Sequence, residues 1–342
     1  MIILNKEKYT SLEVSILLFL LLNSFTSTIL INLFKNYNTL EIIISTLISL
    51  IIGLFFHFFI TKKYNNNIFE NISKNKIIKF IILSILGINV GVIAIYSLNY
   101  TSIIIKDILL PNQNIYVINL TILLTCAYLS LKGLKTITIS ANLLFSIGIF
   151  IFFISILFNT SNISFINLLP INTSINNFNF LQILIYTNAP MFLTLMIPKN
   201  LFIDFDEYKN KSKKIYILFY IYLIIKIILI LSVLGIKYMG IIKYPEIEYL
   251  KTISIFNFFE RLEEILIINI FIENIILISL SLCYILNILN IFKKNKYNIM
   301  IIVTVLFLII YNVNNLNNSI LFISNIIFIT TNLIFVKNKQ LS

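Results

Sequence analysis

The chain has 342 residues, of which 59% are apolar and only 12% charged, and its mean hydropathy is +0.96. A soluble domain is roughly half apolar and about a quarter charged, so the composition excludes an ordinary soluble enzyme, a disordered chain and a disulfide scaffold. The net charge of +12 is that of a membrane protein with basic loops and not of a nucleic-acid binder, because the lysines lie between apolar runs.

Ten segments supply the roughly 20 apolar residues that a membrane helix needs. They are 11–34, 39–61, 77–104, 114–131, 138–159, 179–198, 215–236, 264–292, 298–313 and 318–336. The first has no small-residue cleavage site after it and reads as a span, not a removable signal peptide. It carries a polar stretch, Asn23, Ser24, Thr26, Ser27 and Thr28, inside an apolar helix. The second contains the single histidine, His57, which reads as a packed helix residue. In the third, Asn89 lies between Gly87 and Gly91. That pattern fits close helix packing with interhelical hydrogen bonds, and also a side chain facing a central cavity. Cys126 and Cys283 sit in separate apolar runs and form no metal or redox motif. No cofactor is implied, and no nucleophile stands beside a cluster of His, Asp or Glu, so an enzyme is disfavoured.

The sixth segment carries Thr187, Asn188, Ala189 and Pro190. Pro190 removes a backbone donor and clashes with the preceding turn, while Ser, Thr and Asn satisfy backbone groups that a break exposes. Hydroxyls that bond back to their own helix, with Pro190 as a simple kink, are the alternative. Lys226 and Glu273 lie well inside the seventh and eighth spans, roughly 18 Å from the entry of Lys226's helix at 1.5 Å per residue. An unpaired charge there costs on the order of 3 kcal/mol or more, so the two are predicted to pair or to face one polar cavity. Between these spans, Tyr244 to Ile265 reads YPEIEYLKTISIFNFFERLEEI, an amphipathic helix at the outer face.

Placing the N-terminus inside puts 19 of the 26 basic residues in inside segments and six in outside loops, with Lys226 in a span. This alternation follows the positive-inside rule and puts both termini in the cytoplasm. The expected fold is an all-α polytopic membrane protein, one transmembrane domain over 1–342 with five-helix repeats at 11–159 and 179–336. Five is odd, so the halves are inverted, and in that plan the first helix of each half is broken around a midplane site. Asn23, Ser24, Thr26, Ser27, Thr28, Asn89, Thr187, Asn188 and Pro190 are the candidate substrate-binding residues, between spans one, three, six and eight.

Several segments resemble one family in order along the chain. YPEIEYLKTISIFNFFERLE resembles the loop of B subunits of spore germinant receptors. KGLKTITISANLLF, Lys132 to Phe145, resembles their Arg-Gly-Leu-Glu stretch, with Lys135 at the acidic position. FINLLPI, Phe165 to Ile171, resembles their Asn-Leu-Leu-Pro loop, and SLEVSILLFLLLNSF their first helix. The resemblance implies the amino acid–polyamine–organocation superfamily, a LeuT-like fold with broken helices 1 and 6, and residence in the spore inner membrane. It implies a small nutrient ligand such as an amino acid, with an A-type membrane subunit and a C-type lipoprotein as partners. Two functions stay open: a nutrient sensor that triggers germination, and a secondary active amino acid transporter coupled to H+ or Na+.

Overall fold

The computed structural model describes residues 8–33, 39–62, 76–169, 177–239, 241–252, 262–290 and 318–337. These form α1 (Ser11–Leu33), α2 (Thr39–Lys62), α3 (Lys76–Ile104), α4 (Ile115–Lys132), α5 (Leu134–Asn159), α6 (Asn177–Asn188), α7 (Phe205–Leu234), α8 (Ile236–Met239), α9 (Pro245–Lys251), α10 (Leu262–Asn290) and α11 (Asn318–Lys337). Nine of the ten predicted segments coincide with α1 to α7, α10 and α11. The segment 298–313 lies outside the described residues. Six described helical stretches are long and apolar enough to cross a bilayer: Glu41–Lys62, Ile81–Leu109, Ile115–Lys132, Leu134–Asn162, Phe205–Leu234 and Ile267–Leu289. The protein is a polytopic helical membrane protein.

Local sequence explains where the helices begin and end. Thr10 and Glu13 form a reciprocal capping box at the start of α1, with Thr10 N donating to Glu13 Oε2 at 3.1 Å and Glu13 N to Thr10 Oγ1 at 3.2 Å. The Asn114 side chain caps α4 through Tyr116 N, and that of Asp204 caps α7 through Asp206 N and Glu207 N. Gly133, at φ 104°, lets α5 follow α4 with one intervening residue. Gly235, at φ 77°, ends α7 against Asn167, whose Nδ2 donates to Ser232 O at 2.8 Å. The Asn-Leu-Leu part of FINLLPI is thereby docked on the end of α7.

Of the six bilayer-length stretches, Ile267–Leu289 is the most buried and Leu134–Asn162 the least. Leu143, Phe150, Phe153 and Leu157 of α5 are exposed, as are Ile51, Phe55 and Phe58 of α2. Such apolar outer faces suit lipid. Helix α1 packs on α5, α6, α7 and α10; α2 packs on α6 and α7; α3 on α10 and α11; α5 on α10; α6 on α11. At the N-terminal side of α1, Tyr9 N donates to Leu201 O at 2.7 Å and Ile203 N to Tyr9 O at 3.0 Å. Lys135 binds the Glu13 carboxylate there at 2.9 Å.

Two expectations about helix breaks meet different outcomes. The sixth predicted segment is interrupted: α6 stops at Asn188, and Ala189–Met196 continues as a 3-10 helix with Pro190 near its start. The first is not, since α1 is one continuous α-helix from Ser11 to Leu33. No Gly or Pro lies in that stretch, and Thr26 Oγ1 bonds back to Asn23 O at 3.1 Å. A polar run without a missing donor leaves the α-helical ladder intact. The predicted amphipathic helix is present over the seven residues of α9, but it packs inward, burying Pro245, Glu246, Ile247, Tyr249 and Leu250. Residues 253–261 lie outside the described residues.

Candidate functional site

The polar residues of the bundle interior gather in two groups. The first joins α1 to α10. The amide of Asn23 donates to both oxygens of Glu273, at 2.9 and 2.8 Å, and Asn269 Nδ2, one helical turn before Glu273, donates to Oε1 at 2.9 Å. Beside it, Ser24 Oγ donates to Asn274 Oδ1 at 3.0 Å. All five side chains are buried. Hydrogen bonds to a charged group contribute roughly 1.5–3 kcal/mol each, and three such contacts surround this carboxylate.

Next to this group lies a cavity of about 30 Å3, lined among others by Tyr222, Lys226, Glu246, Tyr249 and Asn269. It has room for a water molecule or two, since one water needs about 10–15 Å3 by this measure. Lys226 of α7 forms its ion pair with Glu246 of α9, at 2.5 Å. The expected direct pair of Lys226 with Glu273 is therefore not made: α9 enters the bundle and delivers a nearer carboxylate, while Asn23 and Asn269 occupy Glu273. The alternative expectation, that both charges border one polar region, fits better, because Lys226 lines the cavity and Glu273 is held by the cavity-lining Asn269. Burial raises the Glu246 carboxyl from its ordinary range, and the Lys226 ammonium pulls it back in part. The pair is anchored from above by α9: Asn159 Nδ2 donates to Tyr249 O at 3.0 Å, and Tyr249 Oη to Ser155 O at 3.2 Å.

The second group surrounds the break after α6. Asn188 Nδ2 donates to Leu184 O at 2.8 Å and Ser49 O at 3.4 Å, and its Oδ1 accepts from the hydroxyls of Tyr216 and Tyr220. Thr187 Oγ1 donates to Ile183 O at 2.8 Å. Gly53 of α2 lies so close that a Cβ there would overlap the Tyr216 hydroxyl and Asn188 Oδ1. Here glycine is required by approach, not by backbone conformation.

The structure thus brings Asn23 and Ser24 together with Glu273, and Thr187 and Asn188 together with one another. Between the two groups, Phe25 of α1 and Tyr186 of α6 meet edge-on with centroids 6.4 Å apart. Thr26 is spent on its own helix. Ser27 and Thr28 belong to α1, but their side chains lie outside the described residues. Asn89 Nδ2 donates to Ile85 O at 2.8 Å in its own helix. Its neighbours Gly87 and Gly91 face Ile288 and Ile285 of α10, which fits the packing reading of this stretch. Pro190 is buried in the 3-10 segment. His57 is packed, with Nε2 2.9 Å from Ser212 Oγ.

Sequence reasoning missed Glu246, Asn269, Asn274, Tyr216 and Tyr220. The i, i+4 spacing of Asn269 and Glu273 was a usable signal. Glu246, in a segment read as an amphipathic helix at the outer face, gave none. Residues 10–320 of the chain match a family described as Spore germination protein. No curated protein matches the chain.

Proposed function

Since the chain belongs to the spore germination protein family, we propose that it is the membrane subunit of a nutrient-germinant receptor, a transporter-like fold that binds a small nutrient such as an amino acid. The observation that carries this reading is the buried Asn23–Glu273–Asn269 group beside a water-sized cavity, in a bundle whose outer faces are apolar. Polar and ionisable groups at membrane depth mark ligand or ion sites. The site is proposed to lie around the Asn23–Glu273–Asn269 group of the first and eighth spans and the adjoining cavity, which residues of α5, α7 and α9 line, with Asn23 and Ser24 on its walls, while Asn188 of the sixth span stands in a separate group. Ser27, Thr28 and Asn89 remain candidates.

The reading includes ten spans with both termini cytoplasmic, the ninth being 298–313, and two inverted repeats. Helix packing supports the repeat. Replacing each helix by the one five spans away turns the α1–α7 contact into α6–α2, α1–α5 into α6–α11, and α5–α10 into α11–α3, all of which are made, whereas the α1–α10 contact has no comparable α6–α3 counterpart among the described residues. Ligand then favours one of two arrangements by differential affinity. An A-type membrane subunit and a C-type lipoprotein are the proposed partners that read the change, in the spore inner membrane.

Binding to the purified protein of a panel of amino acids, sugars and nucleosides tests this. Saturable binding of at least one nutrient is expected, without accumulation of that solute in vesicles holding this chain alone. Concentrative uptake driven by an H+ or Na+ gradient would favour a secondary transporter instead.

A further inference from the structure

Lys226 and Glu246 are joined across two elements of very different character. Lys226 belongs to the 30-residue helix α7, whereas Glu246 sits on a seven-residue helix inserted between α8 and α10. Glu246 is buried and Lys226 nearly so, at 5% and 13% exposure. The cavity beside them holds no more than a water or two, so no amino acid fits while Glu246 is in place. A departure of Glu246 alone is disfavoured, because it strands a buried ammonium. A departure in exchange for another carboxylate is not, since the new anion restores the pair. The opposite pole is present as well: Glu273, held by Asn23 and Asn269, brings a second carboxylate to the same region, and Asn269 borders the cavity.

We propose that Lys226 is the carboxylate-recognition residue for the ligand and that Glu246 is its built-in competitor, so that the carboxylate of a zwitterionic amino acid takes the place of Glu246 on Lys226 and displaces α9. This rests on the sensor reading and names its ligand class. The ammonium of the amino acid faces Glu273. Displacement would strain defined tethers: α9 is tied to α5 through Tyr249, Thr252 and Asn159, and Lys243 and Tyr244 just before it hold Asp107 after α3. A ligand that removes Glu246 from Lys226 therefore loads these contacts.

The test uses the full chain in nanodiscs, with the standard L-amino acids, their carboxamides, and sugars and nucleosides as probes. At least one amino acid is expected to bind while its carboxamide does not. Glu246→Gln removes the competitor and is expected to tighten that binding tenfold or more. Glu246→Asp, with the charge on a shorter arm, gives an intermediate value. Lys226→Met abolishes carboxylate binding, and the double variant K226M/E246Q, which removes both partners of the ion pair together, does the same. The chain has no tryptophan, so Lys251→Trp places a single reporter on α9, and its emission shifts at saturating amino acid. Amino acid binding that survives in K226M/E246Q, or an unmoved reporter, overturns the inference and leaves the sensor reading standing. So does binding of sugars or nucleosides alone. Failure of every probe against both the natural chain and E246Q overturns both.

Discussion

Replacing Asn23 by alanine tests whether the α1–α10 polar group is a true structural junction. Asn23 and Glu273 are both 3% exposed, and one amide group serves both carboxylate oxygens. Interhelical hydrogen bonds in membranes contribute about 0.6 kcal/mol on average and up to about 1.7, whereas bonds to charged groups reach roughly 1.5–3 kcal/mol. The loss of Asn23, with Asn269 left as the remaining donor, is expected to cost about 2 kcal/mol. The cleaner quantity is the coupling in a double-mutant cycle with Glu273→Gln. Reversible unfolding in mixed micelles of a mild and a denaturing detergent measures all four corners. A coupling of about 1.5 kcal/mol or more is expected. A value under about 0.5 kcal/mol would show that Glu273 finds equivalent solvation without Asn23 and would refute the junction.

Gly53→Ala is expected to destabilise by about 1–3 kcal/mol through overpacking, and Tyr216→Phe in the same chain should recover part of the loss; equal stability of G53A and the natural protein in the same unfolding assay would contradict the contact. Lys226→Met alone should cost more than K226M/E246Q, since a single loss strands a buried charge, commonly at about 3–5 kcal/mol; the reverse order of thermal midpoints would refute the pair. Lys135→Glu sets two carboxylates against each other at the N-terminal side of α1, and the swap E13K/K135E should restore stability; the effect is below about 1 kcal/mol because the pair is only partly buried, and chemical denaturation resolves it if both variants are measured together.

Spans were legible because hydropathy over 20 residues reports a length that the bilayer itself imposes. The interruption after Asn188 was legible because Pro190 lacks a donor wherever it stands. The matching expectation for α1 failed for the same reason: Asn, Ser and Thr tolerate a break but do not cause one. The depth of Lys226 and Glu273 was readable from position along their helices, since both are buried in the bundle. Their partners were not. Asn23 is 250 residues from Glu273 in sequence, and Glu246 reaches Lys226 only because a segment outside the spans folds back among them. Distance along a helix axis says nothing about such a return.

Two main-chain hydrogen bonds join Tyr9 to the stretch from Leu201 to Ile203. Among single replacements, proline at 9 or 203 deletes one of these two donors. Through them the entry to α1 is stitched to the stretch that follows the interrupted α6, so a hinge opening at this end must carry both as one piece or break both bonds at once.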